Sequence, residues 1–156
     1  MSTAYRPMRD GQEDAVASFI RKIPAELGLA LTPGITGATL KSWTGEVRIM
    51  IADNAGLLCG ACVWFTTYST WRAAKGLHIS DVFILSHLRG RGLGTNLLKA
   101  TAREASKQGA TFVRIDLATA LPRLCQHYQN LGFRATEHDH TLFLESTHFK
   151  TFIAEI

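Results

Sequence analysis

The sequence is poor in the features that mark membrane-spanning and secreted proteins. Only three of its 156 residues are cysteine, which is no basis for a disulfide framework, and no segment reaches the run of about 18 apolar residues that a membrane helix requires. The first residues, MSTAYRPMRDGQED, contain no apolar signal-peptide core. We therefore expect a cytoplasmic protein that folds without disulfides and binds no membrane.

Blocks of charge of one sign are also absent. The chain has 17 Lys and Arg against 13 Asp and Glu, a formal net charge of +4. The basic residues are spread along the chain and form no recognised nucleic-acid motif, so nucleic acid is not an expected partner. The positive balance suits an anionic small-molecule ligand.

Two pairs of potential metal ligands carry only weak signals. Cys59 and Cys62 form a CxxC pair, but they lie in an apolar strand-like run, where residues three apart face opposite sides. His138 and His140 would share one strand face, although a turn is favoured in that segment. No metal site is predicted.

The hydrophobic pattern predicts one α+β domain spanning residues 1–156. A strand at 3–8 precedes a helix that opens at the capping box Asp10-Gly-Gln-Glu13 and ends at Pro24 and Gly28. The elements that follow are a short helix at about 38–43, strands at about 46–52, 57–68 and 77–85, a helix ending at Gly109, a strand at 111–117, a helix at about 120–131 and two short closing strands.

The most informative segment is a glycine-punctuated turn between a strand and a helix. In Arg89-Gly-Arg-Gly-Leu-Gly94 the glycines occupy alternate positions, so the backbone can turn tightly and approach a ligand without Cβ atoms in the way. A helix that begins at about Gly92 directs its first free N–H groups into the turn. The segment predicts a phosphate-binding site, although its spacing matches neither the dinucleotide motif GxGxxG nor a P-loop.

This turn resembles the coenzyme A loop of GCN5-related N-acetyltransferases (GNAT). The resemblance rests on the pattern Arg-x-x-Gly-x-Gly, formed by Arg89, Gly92 and Gly94 after an apolar strand and before Leu97 and Leu98. The predicted element order is also that of the GNAT fold. The resemblance implies a central mixed, mostly antiparallel twisted sheet flanked by helices, with acetyl-CoA as co-substrate and no metal.

The resemblance also assigns cofactor contacts. In the family, the loop holds the pyrophosphate of acetyl-CoA, and the strand before it splays away from its neighbour. Free backbone N–H groups of that strand then bind the acetyl carbonyl and the pantetheine arm. The matching residues are Val82, Phe83, Ile84, Arg89, Gly90, Arg91, Gly92, Leu93, Gly94 and Thr95.

A second motif, LCQHYQNLGF at 124–133, looks like the closing FYxxxGF helix of the family. Tyr128 is the matching tyrosine, and in many relatives this phenol protonates the departing CoA thiolate. Tyr128 is therefore the expected general acid. It also falls on an apolar stripe with Leu124 and Leu131, so a core tyrosine with a satisfied hydroxyl is the alternative.

The residues expected at the acceptor site differ from those of the relatives that the chain otherwise resembles most. The segments YSTW at 68–71 and GLHISDVF at 76–83 look like those of diamine (spermidine/spermine) and thialysine acetyltransferases. These relatives carry a Glu-Asp pair on this strand, whereas Ser80 precedes Asp81 here. A family asparagine is also replaced, by Leu121.

The group that deprotonates an acceptor amine therefore stays open. Strict strand alternation places Ser80 on the face of His78 and Val82, and Asp81 on the other. His78 could act through a water or be an exposed strand residue, Asp81 is favoured in a structural role, and water alone suffices for an amine of low pKa. The acceptor wall is expected from the loops at 25–43 and 68–75, with Glu26, Trp43, Tyr68 and Trp71 as its reachable groups.

These features together predict an acetyl-CoA-dependent N-acetyltransferase. Its acceptor would be the primary amine of a small molecule, polyamine- or amino-acid-like, which attacks directly in a ternary complex. A protein or peptide N-acetyltransferase is one alternative. A catalytically weak acyl-CoA-binding regulatory module is the other, because Ser80 and Leu121 depart from the family pattern. A second copy of the chain, in a homodimer, is a further candidate partner.

Overall fold

The computed structural model describes residues 3–26, 28, 30, 32–117 and 122–134. The chain divides into two compact units after Asp116, and the single domain expected for residues 1–156 stays a prediction. The first unit contains strand β1 (Ala4–Pro7), helices α1 (Glu13–Glu26) and α2 (Gly37–Ser42), strands β2 (Val47–Asn54), β3 (Leu57–Ser69) and β4 (Ala74–Ile84), a 3-10 turn (Ser86–Leu88), helix α3 (Leu93–Ser106) and strand β5 (Val113–Ile115). The second contains helix α4 (Pro122–Asn130). None of the helices in the described ranges has the length and apolar character needed to cross a membrane.

The five strands of the first unit form one sheet in the order β1-β2-β3-β4-β5. Neighbouring strands pair antiparallel, except that β4 and β5 are parallel. This mixed, mostly antiparallel sheet with flanking helices confirms the expected α+β class. The predicted element order agrees with the observed order through α4, and the two closing strands lie outside the described residues.

Helix α1 covers one face of the sheet because its apolar residues recur every three or four positions. Each of these side chains is at most 8% exposed, and the set comprises Val16, Phe19, Ile20 and Ile23. They form one core cluster with Leu40 of α2 and with Ile49, Ile51, Ala61 and Val63 of the sheet. Complete burial of one such side chain contributes about 1.5–3 kcal/mol, so this face anchors α1 firmly.

Helix α1 ends at Glu26, between Pro24 and Gly28, the two residues that the sequence predicted to end it. Proline cannot donate the helical hydrogen bond to the C=O four residues earlier. However, Pro24 lies in the last turn of α1 and is buried with the apolar stripe of the helix. The continued turn carries Glu26 to the end of the helix.

Helix α3 packs on the opposite face, against β2, β3 and β4. Its buried residues are Leu97, Leu98, Thr101 and Ala105. The Thr101 hydroxyl donates to the C=O of Leu97 at 2.8 Å, so this polar side chain is satisfied within its own helix. The sheet is therefore packed against helices on both faces.

The close packing of β3 against β4 at Gly60 gives a test of this arrangement. A Cβ on Gly60 would lie 2.6 Å from Ile84 Cδ1 and 3.0 Å from the backbone oxygen of Phe83. We expect Gly60→Ala to lower the free energy of unfolding by about 1–3 kcal/mol, the usual cost of overpacking, measured by chemical denaturation.

The matched control is Gly34→Ala, because a Cβ at Gly34 has no heavy atom within 4 Å. This variant should change the free energy of unfolding by less than about 1 kcal/mol. Equal stability of the two variants would contradict the close approach of β3 and β4.

Candidate functional site

The glycine turn lies between the 3-10 turn and α3 and is open to a ligand. Gly90 and Gly92 have φ angles of +73° and +78°, a conformation that L side chains rarely adopt. Gly92 is the N-cap of α3 and supplies no side-chain cap. The first hydrogen bond of the helix runs from the N–H of Asn96 to the C=O of Gly92 at 3.0 Å. The N–H groups of Leu93 and Gly94 belong to residues that precede Asn96 in the first turn. Backbone donors and the helix dipole therefore converge on this turn, as an anion site requires.

Arg89 connects the glycine turn to the end of β4. Its Nε donates to the C=O of Ile84 at 3.0 Å, which fixes the side chain and leaves the other guanidinium nitrogens for a ligand. Arg91 is exposed, and Thr95 lies half-buried in the first turn of α3. The turn thus carries one anchored and one solvent-facing cation.

Glu26 holds the beginning of the 3-10 turn. Its Oε2 accepts a hydrogen bond from the N–H of Ser86 at 3.0 Å. This bond, assisted by the charge of Arg89, lowers the pKa of the Glu26 carboxyl. The sequence suggested Glu26 only as part of an acceptor wall, because a contact between residues 60 positions apart leaves no local signal.

The edge of β4 opposite β3 is open beyond Ile79, since in the described part of the chain β5 pairs with β4 only up to that residue. The N–H of Leu85 donates to the C=O of Cys59, on β3, at 3.2 Å. In an antiparallel ladder the direction of the N–H groups alternates, so Val82 and Ile84 present theirs at the open edge. Val82 and Ile84 therefore direct their N–H groups away from β3, and their contact with acetyl-CoA stays a prediction.

Phe83, the third of the strand residues assigned from the sequence, directs its backbone towards β3 and not towards the open edge. Its backbone oxygen is directed at Gly60 of β3, and its side chain packs against the core cluster on the α1 face. Its backbone is consequently part of the β3–β4 ladder. A contact of Phe83 with a ligand would come through its ring.

A β-bulge at Ser80 changes the face that Asp81 occupies. In the register of β3 and β4, Trp64 opposes Ile79 and Val63 opposes Asp81, so Ser80 is the extra residue. Directly opposed residues share a face, and Val63 belongs to the core on the α1 side. The expectation that Asp81 lies away from this face was therefore wrong, because the bulge interrupts the alternation.

The same register places His78 and Asp81 on one face. His78 opposes Phe65, which lies two residues along β3 from Val63 and so has the same orientation. Val82, expected on the His78 face, opposes Cys62 and lies on the other. The acceptor side of β4 thus presents a carboxylate where strict alternation predicted none.

His78 already has two partners on this face. Its ring stacks on Phe65 with centroids 4.7 Å apart, and its Nε2 lies 3.0 Å from Oδ2 of Asp116. Its side chain is 17% exposed, so it is not the exposed strand histidine of the alternative interpretation. These contacts weigh against His78 as the group that deprotonates an acceptor.

A cavity of about 660 Å³ lies on the α1 face beside the bulge. The end of α1, the loop before α2, and strands β2, β3 and β4 supply its walls. The lining residues are Ile20, Pro24, Thr32, Pro33, Ile35, Trp43, Val47, Val63, Phe65, Ser80, Asp81 and Phe83. Asp81 is accessible to solvent, yet the surrounding protein desolvates its carboxylate and raises its pKa.

The aromatic residues expected on the acceptor wall are separated by the structure. Trp43 lines the cavity, as the sequence suggested. Tyr68 and Trp71, at the tip of the β3–β4 hairpin, are 74% and 98% exposed and do not line it. The first of the two variable loops therefore contributes to this cavity and the second does not.

Tyr128 lies on α4 in the second unit and is 5% exposed. Its ring makes edge-to-face contacts with Phe133 and His127, with centroids 5.3 and 5.8 Å apart. The burial agrees with the apolar stripe seen in the sequence. Leu121, His138 and His140 lie outside the described residues.

The cysteines do not add a metal or redox site to the described ranges. Within them, no group of three or more His, Cys, Asp and Glu side chains is arranged to hold a metal ion. Burial raises the pKa of the Cys62 thiol to about 12 and also raises that of Cys59. Both side chains are therefore thiols at neutral pH and act as small core residues.

Known proteins resemble this chain in sequence and in fold. Residues 40–143 match the model of the acetyltransferase (GNAT) domain. Over 80 residues the chain is 26% identical to the thialysine N-epsilon-acetyltransferase of Mus musculus, a match covering 51% of this chain and 46% of that protein. The chain therefore spans about half the length of the curated relatives it matches.

Solved structures share the fold at low sequence identity. An integron cassette protein from V. cholerae superposes with a TM-score of 0.80 and 16% identity over 98% of both chains. An aminoglycoside N-acetyltransferase in complex with CoA superposes with a TM-score of 0.73 and 16% identity over 93% of this chain and 95% of that one. Both likenesses concern the fold.

The bond between Glu26 and Ser86 predicts a pH-dependent contribution to stability. Because the pKa of Glu26 is lowered in the folded protein from an ordinary value of 4.5, its ionised form favours folding above that pH, and the effect is lost as pH falls through the lowered pKa. Glu26→Gln should therefore have a lower Tm than the parent protein at pH 7, and the difference should shrink below about pH 4.5.

The control is Glu46→Gln, an exposed carboxylate whose side chain makes no hydrogen bond within the described residues. Its Tm should stay at the parent value at pH 7. A Tm difference for Glu26→Gln that is independent of pH would show that the charge of Glu26 does not strengthen the bond.

Proposed function

Because the chain belongs to the GNAT acetyltransferase family, we propose that it is an acetyl-CoA-dependent N-acetyltransferase acting on the primary amine of a small molecule. The observation that carries this proposal is the adjacency of two sites on one strand end. An anion-binding turn follows β4 directly, and β4 itself has an open edge with N–H donors. The turn fits the pyrophosphate of acetyl-CoA, and the open edge of β4 fits its pantetheine arm and acetyl carbonyl.

The residues of the turn fit the pyrophosphate. Gly90 and Gly92 leave the space beside the backbone free of side-chain atoms, and Arg89 is held with guanidinium nitrogens to spare. Two phosphate groups can accept hydrogen bonds from Leu93 and Gly94 while their charge is neutralised by arginine. Bound acetyl-CoA would supply an activated thioester that a neutral amine can attack.

The open edge of β4 serves the acetyl group. The N–H of Val82 or Ile84 donates to the carbonyl oxygen, which gains negative charge as the amine attacks. Fixed donors of this kind contribute roughly 10²–10³ in rate. Tyr128 protonates the leaving thiolate, a role that the family motif supports and that is worth about 10²–10⁴ in rate.

The size of the cavity favours a small acceptor over a polypeptide. A volume of about 660 Å³ lies within the range of small-molecule sites, whereas a peptide acceptor requires a long groove. The relatives described as thialysine and aminoglycoside acetyltransferases also support an amine-bearing small molecule. A non-catalytic acyl-CoA-binding module is the second candidate, because Ser80 replaces the family glutamate.

Thiol release from acetyl-CoA over a panel of amines, amino acids and peptides tests the proposal. We expect release well above background with at least one small amine. Binding of acetyl-CoA without release by any acceptor would instead support the binding module.

Gly92→Val tests the turn. A β-branched residue at φ +78° distorts the turn and fills its open space, so acetyl-CoA affinity in calorimetry should fall at least about tenfold. Gly109→Val is the matched control, because Gly109 has φ +87° just beyond the other end of α3. Comparable losses of affinity in both variants would mean that general destabilisation, and not the turn, is responsible.

Tyr128→Phe removes the proposed acid while retaining the buried ring. The kcat should fall by about 10²-fold or more, with the affinity for acetyl-CoA changed less than about threefold. An unchanged kcat would show that Tyr128 is a core residue and not the general acid. Phe133→Leu is a suitable control for the ring contact, since it alters the packing of Tyr128 without removing the hydroxyl.

A further inference from the structure

We propose that the acceptor is a monoamine with an apolar body, and that Asp81 binds its ammonium group at the wall of the cavity while the body fills the space between α1 and the sheet. This inference rests on the proposed function and names the class of acceptor. It distinguishes the chain from enzymes whose acceptors carry several cationic groups.

The lining of the cavity determines the chemistry of the body. Nine of the twelve lining side chains are aliphatic, proline or aromatic, namely Ile20, Pro24, Pro33, Ile35, Trp43, Val47, Val63, Phe65 and Phe83. The other three are Thr32, Ser80 and Asp81. An alkyl or aryl group gains by leaving water for such walls.

Asp81 is the one ionisable side chain among these twelve lining residues. A carboxylate that apolar walls partly desolvate binds a single ammonium group more strongly than a fully hydrated carboxylate does. A second ammonium group on the same acceptor would find no further carboxylate among these twelve described lining residues and would lose its hydration. Polyamines and aminoglycosides are therefore disfavoured as acceptors.

Asp81 lies both at the wall of the cavity and next to the open edge of β4, where we place the acetyl group. Val82, the next residue, presents its N–H at the open edge of β4, and adjacent Cα atoms are about 3.8 Å apart. The ammonium group bound at Asp81 gives up one proton to water or to the Asp81 carboxylate before the attack. The resulting neutral amine lies one residue from the donor assigned to the acetyl carbonyl. His78, on the same face, is occupied by Phe65 and Asp116 and does not compete for this role.

A matched pair of acceptors tests the inference most directly. Hexylamine and 1,6-diaminohexane have the same chain and differ by a second amino group. We expect kcat/KM for hexylamine to exceed that for the diamine at least about tenfold, with similar discrimination in Kd measured by calorimetry on the protein without acetyl-CoA. 2-Phenylethylamine should behave like hexylamine.

The outcomes separate the two proposals. A diamine or spermidine that is bound and acetylated as well as hexylamine would overturn the inference and leave the N-acetyltransferase proposal standing. Absence of acetylation for every amine, while acetyl-CoA still binds, would overturn both.

Two variants locate the ammonium site. Asp81→Asn should weaken hexylamine binding at least about tenfold without changing acetyl-CoA affinity. Asp116→Asn removes the carboxylate directly after β5, which does not line the cavity, and should leave amine binding unchanged. The reverse result would assign the ammonium group to the His78–Asp116 pair and overturn the role of Asp81.

A variant that gains affinity for a diamine gives a test that loss of folding cannot imitate. Thr32 lies on the cavity wall in a loop and is exposed, so a second carboxylate is tolerated there. Thr32→Asp should raise the affinity for 1,6-diaminohexane relative to hexylamine at least about tenfold. An unchanged ratio would show that the cavity does not hold the far end of the acceptor.

Discussion

The extra residue at Ser80 is the constraint on which both halves of the site depend. Before it, Leu77 directs its N–H towards β5 and donates to the C=O of Phe112 at 2.9 Å. Continued alternation would present the N–H of Asp81 at the open edge and turn its side chain towards α3. The bulge shifts both patterns by one residue, so that Val82 and Ile84 carry the edge donors and Asp81 enters the cavity. One insertion therefore provides together the N–H groups proposed as carbonyl donors and the carboxylate proposed to bind the acceptor.

Two hydrogen bonds then position the anion turn, one between residues five apart in the chain and one between residues 60 apart. Arg89 binds the C=O of Ile84, and Glu26 binds the N–H of Ser86. The first joins the turn to β4, and the second joins it to the last turn of α1, whose Pro24 lines the cavity. Both bonds involve a charged side chain and a backbone group, the stronger class of hydrogen bond. The elements that bound the acceptor cavity therefore also hold the cofactor turn, so the spacing between the two sites does not depend on a free loop.

The sequence was sufficient wherever local rules decide the structure. Apolar periodicity predicted the order of the elements through α4, and alternate glycines after an apolar strand predicted the anion turn. The bulge was not predictable, because it depends on the register of β4 against β3, and nothing in residues 78–83 breaks the strand pattern. The Glu26–Ser86 and His78–Asp116 contacts join residues far apart in the chain. The end of α1 was predicted at Pro24 and Gly28, and the helix continues to Glu26 with the Pro24 ring buried.

The charges of the protein act at two different ranges, so its basic character is compatible with the cationic acceptor that we propose. The net charge of +4 and the arginines of the turn attract an anionic co-substrate from a distance, but this field opposes an ammonium group and is screened within about 10 Å at 0.1 M salt. An acceptor must therefore be selected at short range, by one carboxylate and by the apolar area that it buries. Both contributions are available only to a molecule that has one ammonium group and is otherwise apolar. Discrimination between acceptors consequently arises from the cost of desolvating extra polar groups more than from attraction to the single charge.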